Sequence, residues 1–207
     1  MCQTGNKLSR FRWSFAYTWG MSKDTFLNDH FLIAMPAMGD PNFHHSVTYI
    51  CEHNEQGALG ITINRPMNLN LGDIFDQLNL ERSLDVSETA PILLGGPVQP
   101  QRGFVLHNPR GQWDSSMETG DKIQVTTSQD VLRAMAKGEG PDQAIVALGY
   151  AGWTAGQLEQ EVVENAWLTV PSSYEILFET PYDKRWESAA ALLGVDVKSI
   201  SNYAGHA

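Results

Sequence analysis

Alternating apolar and polar positions predict a β-hairpin in the first third of the chain. The runs 47–51 and 59–63 each place an apolar side chain at every second residue, and the polar, glycine-containing segment 53–57 separates them. This period of two is typical of half-buried strands, and the intervening residues are typical of a turn. The sequence therefore predicts an antiparallel hairpin over 46–63. The apolar run 31–34, which stops before Pro36, predicts a strand ahead of it.

Two later segments show helical spacing and helix-end signals. Residues 70–78 place four apolar side chains on one helical face, with Asn70 as the expected N-cap and Asp73 in the first turn. Ser128 is the expected N-cap of a second helix that ends at Gly138. Both segments have the length of ordinary surface helices.

The third quarter of the chain predicts a β-α-β unit. Residues 144–148 form a continuous apolar run of strand length, which predicts burial on both faces. The glycine-containing segment 149–152 is expected to turn, and Thr154 and Gln157 have the spacing of a reciprocal capping box at the start of a helix. Residues 167–170 supply the second strand, so we expect a right-handed crossover.

The remaining elements are short. Segments 92–94, 104–106 and 123–127 predict three further strands, and Thr180 is expected to cap a last helix that ends at Gly194 with Leu193 facing inward. A hairpin-rich first half followed by a strand–helix–strand second half is typical of a mixed domain, between the α/β and α+β classes.

Length and termini indicate one domain. A chain of 207 residues with 42% hydrophobic residues is enough for a single core. Residues 1–20 look like a disordered extension or a mis-assigned start, because aromatic residues alternate there with polar ones and Met21 resembles a natural start. We therefore expect one domain over 21–195, followed by a polar tail over 196–207.

Charge and composition exclude several classes of protein. The net charge is −10, and leaving out the three basic residues of the first twenty leaves 11 basic and 24 acidic residues, or −13. Such a body repels phosphate backbones, so direct nucleic-acid binding is not expected. No apolar run approaches the roughly 18–20 residues that span a bilayer. No secretory signal is recognisable, and two cysteines give no disulfide framework, so we expect a cytoplasmic protein.

A cysteine and three histidines form one candidate site. His44, His45, Cys51 and His53 are residue types that ligate transition metals, but no ligand-spacing motif supports a metal centre. Cys51 is alternatively a nucleophile with a neighbouring histidine as base, which requires a lowered thiol pKa. The simpler interpretation is a buried thiol beside polar loop histidines.

A glycine-rich segment after a buried strand forms the second candidate. A strand, a glycine turn and a helix N-terminus together present backbone N–H groups to an anion. Strand exits also collect functional polar residues. The predicted ligand-binding residues are Arg65, Gly149, Tyr150, Gly152, Trp153 and Gln157. The alternative is that the glycines serve only a tight turn.

Three carboxylates on the following helix form the third candidate. Glu161 and Glu164 share a helical face, and Glu159 lies nearby with Gln157. Paired carboxylates can perform acid/base chemistry. A solvated charged face is the commoner reason for such a run.

Several ordered motifs together resemble the bacterial YqgE/AlgH family over about residues 26–195. They are Met38–Phe43, Ser46-Val47, Glu52-His53, Gly57–Gly60, Asn64–Pro66, Gly95–Val98, Gly149–Trp153, Gly156–Glu159 and Asn165–Leu168. The resemblance implies a compact fold with a barrel-like, largely antiparallel sheet and flanking helices, in a cytoplasmic bacterial protein. The family's usual label is transcriptional regulator. It carries no established set of catalytic residues.

Three functions follow as competing hypotheses. The first is a regulatory module that binds a small anionic ligand or a protein partner without catalysis and without a cofactor. The second is a small hydrolase or redox enzyme that uses Cys51 and the histidines. The third is a direct DNA-binding regulator, which the net charge disfavours.

Overall fold

The computed structural model describes residues 26–84, 86–108, 111–120 and 122–194. The predictions for residues 1–20 and 196–207 lie outside this part of the chain. The strands are β1 (His30–Ala34), β2 (Val47–Asn54), β3 (Gly57–Thr62), β4 (Pro66–Asn70), β5 (Pro91–Leu94), β6 (Val98–His107), β7 (Ser116–Glu118), β8 (Gln124–Thr126), β9 (Ala144–Thr154) and β10 (Trp167–Pro171). The helices are α1 (Leu71–Gln77), α2 (Asp130–Lys137), α3 (Gln157–Val163), α4 (Tyr174–Phe178) and α5 (Arg185–Ala191).

The strands form a largely antiparallel sheet that curls into a half-barrel. Eight strands follow the order β10-β1-β2-β3-β9-β6-β8-β7, and each neighbouring pair along this path is antiparallel. Strand β5 joins β9 in parallel and carries β4 on its other side. The five helices flank this sheet, which confirms the predicted mixed fold of one domain.

Alternating side chains divide the core between the two faces of the sheet. Phe31 and Ile33 pack on one face with residues of α4 and α5. Leu32 and Ala34 pack on the opposite face, where Leu158 of α3 covers them. A third cluster fills the space between the sheet and helices α1 and α2. The period of two that predicts strands therefore also assigns each helix to a face.

The predicted hairpin and first helix are confirmed. Strands β2 and β3 pair antiparallel, with Asn54 opposite Gly57 at the turn. Asn70 caps α1 by accepting a hydrogen bond from the Asp73 backbone N–H at 3.0 Å, and the Asp73 carboxylate accepts one from the Asn70 N–H at 2.7 Å. Both residues act locally, so the capping box can be recognised in sequence.

The turn predicted at 149–152 is wrong, because β9 continues through these residues to Thr154. Gly149 has a φ of +74°, which lets the strand bulge and continue pairing rather than turn. Gly152 then pairs with Leu59 of β3. The β9–α3–β10 unit exists, but β3, β2 and β1 lie between its two strands.

The starts of α3 and α2 also differ from prediction. Helix α3 begins after Gly156, and Thr154 supplies only its backbone N–H and hydroxyl to Gln157. The Ser128 hydroxyl bonds to Asp130 instead of capping α2, whose N-cap position is Gln129. In both cases the expected cap bonds to the side chain of the first helical residue, so each helix begins later than its sequence signal.

The last helical segment is divided in two. Thr180 does not begin α5, because its N–H and hydroxyl both donate to the Glu175 carbonyl, at 2.8 and 3.1 Å, and so close the short helix α4. Helix α5 starts only at Arg185, and Leu193 is 40% exposed rather than inward-facing. The N-cap position of α5 is Lys184, four residues after Thr180.

Candidate functional site

A groove beside the β2–β3 hairpin brings three of the predicted site residues together. Its volume is about 380 Å³, and Tyr150, Gly152 and Trp153 line it along β9. The facing residues come from the hairpin and include Glu52, Asn54 and Leu59. The β3–β9 pairing creates this arrangement, since Leu59 lies opposite Gly152 and Ala58 opposite Trp153.

Gly152 and Tyr150 set the character of the groove surface. Gly152 is exposed and carries no side chain, so the peptide backbone of β9 is open at this point. Tyr150 is half-buried and packs edge-on against Phe104, with ring centroids 5.7 Å apart. The Arg102 guanidinium lies 5.3 Å from the centroid of Phe104. The groove therefore offers an aromatic wall beside exposed backbone.

Glu161 fixes the position of Trp153, one of the residues that line the groove. Its Oε2 accepts hydrogen bonds from the indole N–H groups of Trp153 and Trp167, both at 2.8 Å. Its Oε1 accepts a third bond from the Gln157 amide at 3.0 Å. The predicted residue Gln157 thus supports Trp153 through Glu161 and does not line the groove.

The three carboxylates of α3 have separate partners. Glu159 Oε1 lies 3.2 Å from His53 Nε2, while the other ring nitrogen, Nδ1, accepts the Leu27 backbone N–H at 2.9 Å. Glu164, the C-cap residue of α3, accepts a hydrogen bond from Gln160 of that helix. Because Glu159, Glu161 and Glu164 each serve a different contact, they do not form an acid/base pair.

Arg65 and Gly149 lie outside the groove lining and have structural contacts. The Arg65 guanidinium donates to the Pro41 and His44 carbonyls, at 2.9 and 2.8 Å, and burial lowers its pKa. Gly149 faces the backbone of Gly96, and a Cβ at position 149 would lie 2.4 Å from the Gly96 oxygen. Two of the six predicted residues therefore hold loops and strands together.

The charge of the groove does not favour the predicted anionic ligand. Its lining contains the carboxylate of Glu52 and the amides of Asn54 and Gln56, and neither lysine nor arginine. Glu55 lies on the adjoining turn and is exposed. Gly149 and Gly152 lie within β9, and α3 begins after the two residues 155–156, so these glycines do not stand at its N-terminus. A cationic or neutral group fits this lining better.

The cysteine–histidine candidate is not supported as a catalytic site. Cys51 is 2% exposed, its Sγ lies 3.7 Å from the Tyr49 carbonyl, and burial raises the pKa of its thiol, which opposes the thiolate form. His44 stacks on His45, with ring centroids 3.9 Å apart. Within the described residues no three His, Cys, Asp or Glu side chains are placed to hold a metal ion.

The hairpin side of the groove was not among the predicted site residues. Strand β2 has a β-bulge between Ile50 and Glu52, which interrupts the alternation of side chains between the two faces of the sheet. A second cavity of about 170 Å³ was also missed; Gln77 of α1, Gln101 of β6 and Gln129 before α2 line it with apolar neighbours. Both surfaces combine residues from distant parts of the chain, so no local signal marks them.

No helix in the described ranges is long and apolar enough to cross a membrane.

The chain is a single α+β domain with a largely antiparallel half-barrel sheet, and comparison with known proteins gives its family. Residues 31–198 match the family described as DUF179, AlgH-like, and the chain belongs to this family. A UPF0301 protein of Thioalkalivibrio sulfidiphilus is 57% identical over 187 residues, which cover 90% of this chain and all of the relative. A UPF0301 protein of Legionella pneumophila is 50% identical over 181 residues, which cover 87% of this chain and 97% of the relative.

Two solved structures share the fold. The solution structure of the AlgH protein from Pseudomonas aeruginosa matches with a TM-score of 0.71 and 50% identity, over 90% of this chain and 98% of that protein. The crystal structure of protein DIP2367 from Corynebacterium diphtheriae matches with a TM-score of 0.69 at 19% identity, over 87% and 94% of the two chains. The second match shows that the fold persists at low sequence identity.

Proposed function

We propose that this AlgH-like protein is a non-catalytic regulatory module of the cytoplasm that binds a protein partner through the groove between the β2–β3 hairpin and β9. The observation that carries the proposal is the groove lining itself. It combines the aromatic Tyr150, the open backbone at Gly152 and the carboxylate of Glu52, and its lining contains no cysteine, serine or histidine. Aromatic side chains and exposed backbone are typical of surfaces that bind polypeptide segments.

The charge of the groove supports a basic partner segment. Glu52 lines the groove, Glu55 lies beside it, and the net charge of the chain is −10. Opposite charge speeds encounter and sets specificity at protein interfaces. The partner segment therefore carries lysine or arginine next to an apolar residue that packs on Tyr150. The same negative charge opposes duplex DNA, whose binding depends on cationic side chains.

Site-specific photocrosslinking in the native host tests the proposal. A photoreactive phenylalanine analogue at Tyr150 is expected to capture a defined partner, whereas the same analogue at the fully exposed Leu84 is not. Glu52→Lys should abolish the adduct at position 150. Glu139→Lys changes the net charge equally at an exposed residue outside the groove lining, so it should leave the adduct intact.

Binding of the captured protein to the purified full chain gives the quantitative check. Glu52→Lys should weaken the affinity roughly tenfold or more, since it replaces an attractive charge by a repulsive one. Equal binding by the Glu52→Lys and Glu139→Lys variants would refute docking at the groove. An adduct at Leu84 as strong as that at Tyr150 would also refute it.

A further inference from the structure

A polar cluster lies where the two ends of the curled sheet approach each other. Strands β10 and β7 are at opposite ends of the strand order. Asp29 lies just before β1, and its backbone carbonyl accepts a hydrogen bond from the backbone N–H of Ser172, which follows β10. Thr119 follows β7 and is buried. Asp29 and Thr119 both contact the hydroxyl group of Tyr49 on β2, and Ser172 joins the cluster through Asp29.

The Tyr49 hydroxyl links both ends of the sheet. It lies 2.9 Å from Asp29 Oδ1, 2.6 Å from the Thr119 carbonyl and 2.7 Å from the Thr119 hydroxyl. Tyr49 is completely buried, and burial raises the pKa of its phenol. The phenol therefore stays protonated and has one hydrogen to donate, to Asp29 Oδ1 or to the Thr119 carbonyl, while its oxygen accepts from the Thr119 hydroxyl.

Asp29 is held rigidly in a conformation that few residues other than glycine adopt. Its φ is +58°, its N–H donates to the Ile50 carbonyl at 3.0 Å, and its Oδ1 accepts the Ser172 hydroxyl at 2.5 Å. Gly120 makes room for it, because a Cβ at position 120 would lie 2.1 Å from Asp29 Oδ2. Backbone strain that the surroundings maintain in this way is concentrated at functional sites.

Only one of the two Asp29 oxygens is used by these contacts. Tyr49 and Ser172 both bond to Oδ1, and Oδ2 makes no hydrogen bond or ion pair within the part of the chain that the structure describes. Asp29 lines a cavity of about 230 Å³ whose other walls are Lys122, Ile123, Ser172 and Tyr174. The carboxylate thus has an acceptor left for a group that enters this cavity.

The geometry points to a binding site for a small zwitterion of amino-acid size in this cavity. The ligand's ammonium group donates to Asp29 Oδ2 and its carboxylate pairs with the exposed ammonium of Lys122. Ile123, which is 4% exposed, supplies an apolar wall for a short side chain. The volume is below the roughly 300 Å³ at which pockets for drug-sized ligands begin, which suits a molecule of this size.

Both charges of the ligand have a partner of opposite sign in this cavity. Asp29 and Lys122 stand on different segments, so a molecule carrying only one charge satisfies one of them and leaves the other unpaired. This site is separate from the groove at Tyr150, since the two linings share no residue. The inference therefore stands or falls independently of the partner proposed there.

Nuclear magnetic resonance titration of the full chain with each of the twenty standard L-amino acids at millimolar concentration tests the inference. At least one amino acid should shift the amide signals of Ile123, Ser172 and Tyr174 without shifting those of Gly152 and Trp153. The corresponding amine without its carboxyl group, and the acid without its amino group, should bind more weakly.

Two charge variants locate the ligand. Lys122→Gln should weaken binding roughly ten- to hundredfold, because a charge-assisted hydrogen bond is lost. Lys137→Gln makes the same charge change at an exposed residue of α2 and should have no effect. Asp29→Asn should also abolish binding. Because Asp29 supports Tyr49 and Ser172, the decisive comparison is between the two exposed lysines.

Three results would overturn the inference: no amino acid shifts the cavity signals, the amine alone binds as tightly as the zwitterion, or Lys122→Gln binds as the unmodified chain does.

Discussion

Glu161 shows how a carboxylate on a surface helix can serve the fold. It is the common acceptor for two indole N–H groups whose residues, Trp153 and Trp167, are 6% and 3% exposed. An unpaired buried donor costs about 1–3 kcal/mol. The pattern of Glu159, Glu161 and Glu164 predicts a solvated face or an acid/base pair, and the contacts of Glu161 fit neither prediction.

Replacing Glu161 should therefore reduce stability. Glu161→Ala leaves both indoles without their acceptor, so we expect the free energy of unfolding to fall by about 2–4 kcal/mol. Urea denaturation followed by far-ultraviolet circular dichroism measures this change without relying on tryptophan emission.

Glu164→Ala is the matched control for this measurement. Glu164 is exposed and its carboxylate bonds to Gln160 on the same helix, so its replacement should stay within about 0.5 kcal/mol. A loss of similar size in both variants would mean that the indole contacts do not carry the effect.

Strand β9 is the element on which the fold depends most. It pairs with β3, β5 and β6, and so joins the two halves of the sheet. Gly96, with a φ of +156°, and Gly149, with a φ of +74°, allow the backbones of β9 and the β5–β6 connection to approach each other. The glycine motifs that marked a binding turn in the sequence therefore serve this backbone contact at Gly149.

A pair of alanine substitutions separates steric contact from backbone strain. Gly149→Ala should destabilise by about 3 kcal/mol or more, because it combines an unfavourable φ with a Cβ only 2.4 Å from the Gly96 oxygen. Gly156 has nearly the same φ, +76°, but a Cβ added there would meet no atom within 4 Å. Gly156→Ala should therefore cost only about 1 kcal/mol.

Thermal and chemical unfolding of both variants checks this comparison. Equal losses of stability would show that strain alone matters and that the close approach of Gly96 is unimportant.

The stability of the complete domain should depend on pH through His107. This residue is buried, its Nε2 is 2.9 Å from the Thr126 hydroxyl, and its Nδ1 is 3.2 Å from the Asn108 carbonyl. Burial lowers its pKa below the ordinary value of 6.5. The unfolded chain therefore takes up a proton at a higher pH than the native protein does.

The sign of the effect follows from this difference. Above pH 6.5 both states are unprotonated and stability is complete. As the pH falls below that value, the unfolded state gains a proton first and the free energy of unfolding decreases, by up to about 1.4 kcal/mol per pH unit, until the native pKa is reached.

His107→Gln should flatten this pH dependence, whatever it does to stability at neutral pH. Urea denaturation at several pH values below 6.5 gives the slope for each protein. His45 also has a lowered pKa, caused first by burial and then by His44, but it is exposed. His45→Gln should leave most of the slope in place, and an unchanged slope in His107→Gln would contradict the assignment.

Much of the fold could be predicted from local pattern. The β2–β3 hairpin, the Asn70 cap of α1 and the Gly138 end of α2 each depend on residues within a few positions of one another. The start of α5 could not be predicted, because Thr180 lies between two helices. Its hydroxyl bonds to Glu175 in the preceding helix and does not cap the following one.

The candidate surfaces could be predicted only in part. Tyr150, Gly152 and Trp153 do share a groove, as the sequence suggested, but their partners Glu52 and Leu59 come from a hairpin nearly a hundred positions earlier. Arg65 is a strand-exit residue by sequence, and only its bonds to Pro41 and His44 show what it holds.

The sequence by itself determined the family resemblance, the mixed fold class, the acidic charge and the elements whose contacts are local. The tertiary structure alone decided which residues meet at a site. Ser172 bonds to Asp29 across 143 positions, and Tyr49 bonds to Thr119 across 70. The physical reason is that strand and helix signals arise from neighbours along the chain, whereas cavities arise from strand pairing and sheet curvature, which bring distant segments together.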